Sequence, residues 1–254
     1  MRFFFSPLEQ FDVLPLFSFF NSSKFFVITN VNFFLVVVLG ISFLFLFMSF
    51  FSSTLIPNAY QSLVEQLYGF VYGFSRESLG SVCDQYISYL FTLFFFVLSS
   101  NILGLIPYSF TLTSQLVVTF CLGFGSFFGL NWIGIRRHGL HMLSFFLPKG
   151  APIALAPFLV LIELISYVFR LFSLSIRLFA NMFAGHTLLN ILAGFSIMLF
   201  PGITFIGFFP WLGSVIPLVV VFAVMGLELG IAFLQAYVFT ILTCLYLNDA
   251  LVLH

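Results

Sequence analysis

Charge is what this 254-residue chain has least of: Asp, Glu, Lys and Arg together make up 6% of it. A soluble domain carries about 25%, so a soluble fold could not cover its surface with this composition. Eight basic and eight acidic residues cancel to a formal net charge of zero, which argues against a nucleic-acid partner. Cysteine is scarce as well. Cys83, Cys121 and Cys244 lie far apart without metal-ligand spacing and read as small apolar side chains with free thiols. Strict alternation over ten-residue segments, the mark of an outer-membrane barrel, is missing. The start of the chain lacks the basic residues, clean apolar run and small-residue cleavage site of a signal peptide, and it is not an Arg-rich transit sequence. Residues 1–30 therefore read as a retained N-terminal extension.

Apolar side chains are what the sequence has in excess. Hydrophobic residues account for 62%, phenylalanine alone for 42 positions, and mean hydropathy is +1.21. Lipid accepts Phe wherever it accepts Leu, so that excess carries no functional argument. The class is an all-α polytopic membrane protein, with a single membrane domain over 31–254. Residues 31–51 hold no charge, and some twenty apolar residues cross about 30 Å of hydrocarbon as one helix. This is the first span.

Residues 57–80 behave differently. Tyr60, Leu63, Val64, Leu67, Phe70, Val71 and Phe74 recur at helical spacing, with Gln61, Glu65, Gln66, Arg76 and Glu77 on the other side. That pattern predicts an amphipathic helix lying in the interface plane or against a partner. Two more spans follow at 87–106 and 116–135. The loop after them holds Arg136, Arg137 and Lys149, so by the positive-inside rule it faces the matrix or cytoplasm. Counting spans back places Arg76 on that side and residues 1–30 on the other. His138 and His141 stand three apart with no third ligand in the loop, which does not make a metal site.

Residues 151–200 carry proline only near their beginning. Even forty helical residues would reach about 60 Å, twice the hydrocarbon thickness, so this helix must tilt, bend or break. Pro201, Pro210 and Pro217 mark a turn region, and a second long run covers 215–248 with Glu228 and Gln235 on one face and Asp249 just past its end. The first long helix carries a polar stripe. Glu163, Ser166, Arg170, Ser173, Arg177 and Asn181 fall within an arc of roughly 80° at 100° per residue. An ionised side chain at mid-bilayer costs about 2.5–3.5 kcal/mol on insertion scales, so two arginines and a glutamate on one face require water, a partner, or both. A neutralising Glu163–Arg170 pair that only holds helices together is the plainer reading. His186 lies about 140° from Glu163 on an ideal helix, near Asn190, and must look elsewhere. Glu228 is its candidate partner, because an imidazole beside a carboxylate passes protons near neutral pH.

Two segments, SIRLFANMFAGH at 175–186 and GLELGIAFLQAY at 226–237, resemble the signature segments of subunit a of F-type ATP synthases, called subunit 6 in mitochondria. NAYQSLVEQLYGFV near residue 60, NILGLIPYSFTLTSQL at 101–116 and the C-terminal NDA extend the likeness to roughly 55–250. The resemblance implies three upright spans, an interfacial helix and a hairpin of two long, strongly tilted helices against a rotating ring of c subunits. It implies Arg177 as the essential fixed cation facing that ring. It also implies a proton inlet path through His186, Glu228 and Gln235 and an outlet path through Glu163, Ser173 and Asp249, with Asn181 and Asn190 as supporting polar groups. His at 186 with Glu at 228 is the mitochondrial-type arrangement, which implies an inner-membrane protein with its N-terminus toward the intermembrane space, or a bacterial plasma-membrane one. Implied partners are the c-ring, peripheral-stalk and other membrane-sector subunits, and membrane lipids. No cofactor, metal or catalytic role of its own is implied. A proton- or ion-coupled secondary transporter is the alternative, although no internal repeat is visible. A purely structural anchor would not hold Arg177 inside an apolar run without a partner.

Overall fold

Backbone N–H and C=O groups find no water in hydrocarbon, so apolar runs of this length close their hydrogen bonds within helices. The computed structural model describes residues 9–18, 27–51, 54, 56–106, 109–139, 156–199 and 208–251. Six α-helices dominate it: α1 (Asn30–Phe51), α2 (Ala59–Leu79), α3 (Cys83–Gly104), α4 (Leu116–His138), α5 (Ala156–Leu199) and α6 (Phe208–Leu251). Five segments are long and apolar enough to cross a membrane, with α2 and α3 running together as one of them.

Glycine punctuates the helices where the chain must reverse. Gly80 ends α2 at φ 60°, its N–H donating to Arg76 O. Gly139 ends α4 at φ 61°, donating to Ile135 O. A left-handed residue there satisfies the last carbonyls, and glycine adopts it without a Cβ penalty. The core forms where α3 packs between α2 and α6, around Val71, Leu90, Phe94, Val97, Phe239 and Leu247. α5 rests on α4 and α6. α1 stands at the edge, and Val38 is its one buried residue among those described.

Helix limits differ from the sequence reading in informative ways. α4 runs past residue 135 and takes Arg136, Arg137 and His138 into its last turn. Cations at a helix C-terminus complement the macrodipole, so charge did not end the helix. α3 starts at Cys83, four residues before the expected 87, and stops at Gly104. α6 begins at Phe208, with Pro210 in its first turn and Pro217 inside it, where a proline-marked turn was expected. A first-turn proline lacks only an N–H that has no partner anyway. Pro217 removes one internal hydrogen bond.

The described part of the N-terminal extension holds a short 3-10 turn and a strand pair. A 3-10 turn at Glu9–Phe11 leads to strand β1 (Pro15–Ser18), which pairs antiparallel with β2 (Val27–Thr29). Asn30 fastens the pair: its side-chain amide donates to Asp12 O at 2.9 Å, and its backbone N–H donates to Leu14 O at 3.1 Å. Residues 1–8, Lys24, His141, Lys149, Pro201 and the first five residues of the expected 151–200 helix lie outside the described residues.

Candidate functional site

The polar stripe of α5 faces away from the fold's own core. Glu163, Ser166 and Arg170 are half-buried, while Ser173, Arg177 and Asn181 are exposed. The adjacent Leu174, Leu178 and Met182 are buried, so the stripe borders packed surface and enters it at Arg170. Arg170 lies back along the helix, as helical side chains do. Its Nη2 sits 3.8 Å from Glu163 Oε1, and its guanidinium lies 5.9 Å from the centroid of Tyr246 on α6. Arg170 thus has Glu163 beside it and an aromatic face from α6.

Beside that pair an open groove of about 360 Å³ is lined by Ser166, Arg170, Ser173, Arg177, Leu242 and Tyr246. It joins the Glu163–Arg170 region to Arg177. Arg177 makes no ion pair among the described residues. Tyr246 stands within electrostatic range of Arg170, Asp249 and Arg177. Asp249 is also within range of Tyr167, whose hydroxyl donates to Asn131 Oδ1 on α4 at 2.9 Å. Glu163 thus lies beside Arg170, Ser173 lines the groove, and Asp249 lies near Tyr167 and Tyr246.

A second cluster lies past Arg177 on α5. His186 and Glu228 are both buried, His186 near α3 and Glu228 against α5. A Cβ placed on Gly185 would lie 2.5 Å from Glu228 Oε1, so the missing side chain is what lets the carboxylate lie there. A Cβ on Gly104 of α3 would lie 3.7 Å from His186 Nε2. Both carboxylate oxygens of Glu228 and Nε2 of His186 have no hydrogen-bond partner among the described residues. The expected pair therefore shares a neighbourhood without a direct bond. Buried polar groups left unpaired are costly and are retained where they have work to do. Two turns on, Gln235 is half-buried, and between it and Glu228 the carbonyl of Ala232 accepts from Asn101 Nδ2 at 3.3 Å.

Asn181 is exposed on the stripe. Asn190 instead donates to Gln10 Oε1 at 2.7 Å. Phe11 packs on Phe183 with ring centroids 4.8 Å apart, and its carbonyl accepts from Gln115 at 2.8 Å. Sequence reasoning missed Gln10, Phe11, Asn101 and Gln115 as neighbours of this cluster. Only an isolated polar side chain in an apolar run hinted at Asn101; nothing local marks the others. Among the described residues no group of three or more His, Cys, Asp or Glu could hold a metal ion.

A family model described as ATP synthase A chain matches residues 31–248. The chain belongs to the ATP synthase subunit a family. It is 48% identical to ATP synthase subunit a of Brassica napus over 98% of this chain and 97% of that one. It is 46% identical to the subunit a of Marchantia polymorpha, over 98% of this chain and 99% of that one. The subunit a of Rhodospirillum rubrum is 47% identical over the same shares. The likeness therefore reaches well before residue 55, where the sequence reading stopped it. Membership makes the chain a multi-pass subunit of the membrane sector of an ATP synthase, assembled with other subunits of that complex.

Proposed function

We propose that this subunit forms two aqueous half-channels against the c-ring, and that Arg177 keeps them apart. The observation that carries the reading is the order along α5: Glu163 and Arg170 at one end, the buried His186 toward the other, and Arg177 exposed between them without an ion pair among the described residues. Arginine stays protonated at any physiological pH, so Arg177 cannot carry a proton. A fixed cation can force a passing carboxylate to ionise, and the carboxylate is the acidic residue of each ring subunit.

Protons enter through Glu228, His186 and Gln235, neutralise a ring carboxylate and travel with the ring through nearly a full turn. On return, Arg177 releases the proton into the groove that runs past Ser173 and Arg170 to Glu163 and Asp249. Each proton crossing 100 mV releases about 2.3 kcal/mol, so several combine for one ATP made elsewhere in the complex. This chain thus conducts protons and catalyses no covalent step. With Arg76, Arg136 and Arg137 on the matrix side, the N-terminus faces the intermembrane space of the mitochondrial inner membrane; a bacterial plasma membrane is the alternative setting.

The test is passive proton flux through the purified membrane sector in liposomes, with and without the ring. Flux that needs the ring supports the half-channels. Flux that persists without it, coupled to a solute, would favour a secondary transporter.

A further inference from the structure

A different part of the molecule holds a second polar cavity, away from the α5 stripe. It lies between the start of α3 and the end of α4, is open to the surface with a volume of about 360 Å³, and is lined by Gln85, Tyr86, Trp132, Ile133, Arg136 and Arg137. We propose that this cavity seats the phosphate of an anionic membrane phospholipid.

The spacing on α4 sets the depth. Trp132 is 69% exposed, and an exposed Trp near the end of a spanning helix marks the boundary between hydrocarbon and head groups. Arg136 is one turn further out, about 6 Å along the axis, which is the level of a lipid phosphate. Arg136 and Arg137 are both exposed, and neither makes an ion pair among the described residues. No acidic residue occurs between Asp84 and Glu163. Asp84, the acid beside the cavity in sequence, accepts a hydrogen bond from Tyr72 of α2 at 3.2 Å, and Arg76 lies over that same Tyr72 ring. Among the described residues two planar guanidinium forks therefore stand without an ion-pair partner beside amide and phenol donors on Gln85 and Tyr86. Arginine forks bind phosphate in a bidentate manner. A basic pocket between spanning helices on the positive side suits an anionic head group, while the Trp132 ring and Ile133 suit the first part of an acyl chain. Completing the macrodipole of α4 requires charge only. It does not require a cavity lined with hydrogen-bond donors and an aromatic edge.

The experiment uses the intact complex in nanodiscs containing a trace of phosphatidylglycerol with a photoreactive group near its acyl carbonyl. Labelled peptides are then mapped by mass spectrometry. Capture on 132–137 is expected, competed by unlabelled phosphatidylglycerol and not by phosphatidylcholine or inorganic phosphate. Arg136→Gln and Arg137→Gln should each reduce capture about fivefold, the weight of one basic residue near an anionic surface, while the paired Lys variants keep more of it. Equal capture of phosphatidylcholine, or no loss in the Gln variants, would overturn the proposal. So would full competition by inorganic phosphate, which would make this a soluble-anion site. Capture of the lipid on a neighbouring subunit with none on 132–137 would overturn it as well. None of these outcomes bears on the half-channel reading.

Discussion

Gly185 of α5 and the carboxylate of Glu228 on α6 are in direct contact: a Cβ at 185 would lie 2.5 Å from Oε1, 3.0 Å from Cδ and 3.3 Å from Cγ of Glu228. Small residues let membrane helices approach closely, and here the space released is filled by an ionisable group. Gly185→Ala meets the far end of a flexible side chain, so the carboxylate can swing aside and the fold survives. The expected outcome is normal assembly, a stability change under about 1 kcal/mol, and a clear fall in proton-driven ATP synthesis. Gly185→Val adds bulk that the carboxylate cannot escape, and overpacking of about 1–3 kcal/mol should reduce the amount of assembled complex. Wild-type synthesis in the Ala variant would mean that the position of Glu228 is unimportant.

Glu228 and His186 are expected to work as one inlet. Glu228→Gln removes the group that accepts the proton and should slow uptake strongly, whereas His186→Gln should slow it less. Proton pumping by both variants is measured from pH 6 to pH 8. Because two interacting groups titrate together, the profile belongs to the pair. Wild-type rates for both variants across that range would remove these residues from the path.

The sequence carried the parts of this site that depend on a single helix. A 100° periodicity placed Glu163, Arg170 and Arg177 on one face, and in the structure Arg177 is exposed while Glu163 and Arg170 are half-buried as a pair. The same arithmetic turned His186 away from that stripe, and it is buried where the stripe is not. Contacts between helices were beyond its reach. The register of α5 on α6 decides that Gly185 and not a neighbour meets Glu228, and no local pattern encodes that register. Gln10 reaches Asn190 across almost the whole length of the chain. The Glu163–Arg170 pair was legible as a possibility, since the residues stand two turns apart, but the Tyr246 face beside Arg170 was not.

Topology is open to labelling. Cys121 is exposed and is first replaced by Ser, so that single cysteines can be scored. A cysteine near His138, whose ring nitrogen lies 3.1 Å from Leu251 O at the end of α6, should react only from the matrix side. One near Ser18 should react only from the opposite side. Reaction of both from one side would overturn the span count and, with it, the assignment of inlet and outlet.

Arg177 should prove irreplaceable for coupled transport. It is exposed on α5, lines the groove that leads to Arg170, and makes no ion pair among the described residues. Its nearest acid along the helix, Glu163, lies about 21 Å away and is already beside Arg170. Distance therefore rules out an acidic partner from this helix, and under the half-channel proposal the exposed charge meets the ring carboxylate. Lys at 177 keeps a positive charge but loses the planar fork, and an ammonium can deprotonate when a ring subunit covers it. Arg177→Lys is expected to abolish ATP-coupled proton transport without opening a leak. Arg177→Ala should abolish it too, and in addition let ring carboxylates pass while still protonated, joining the two half-channels. ATP synthesis and passive proton conductance in inverted vesicles separate the two effects: both variants lose synthesis, and only Ala gains conductance. Substantial synthesis with Ala at 177 would mean that the stripe serves structure alone.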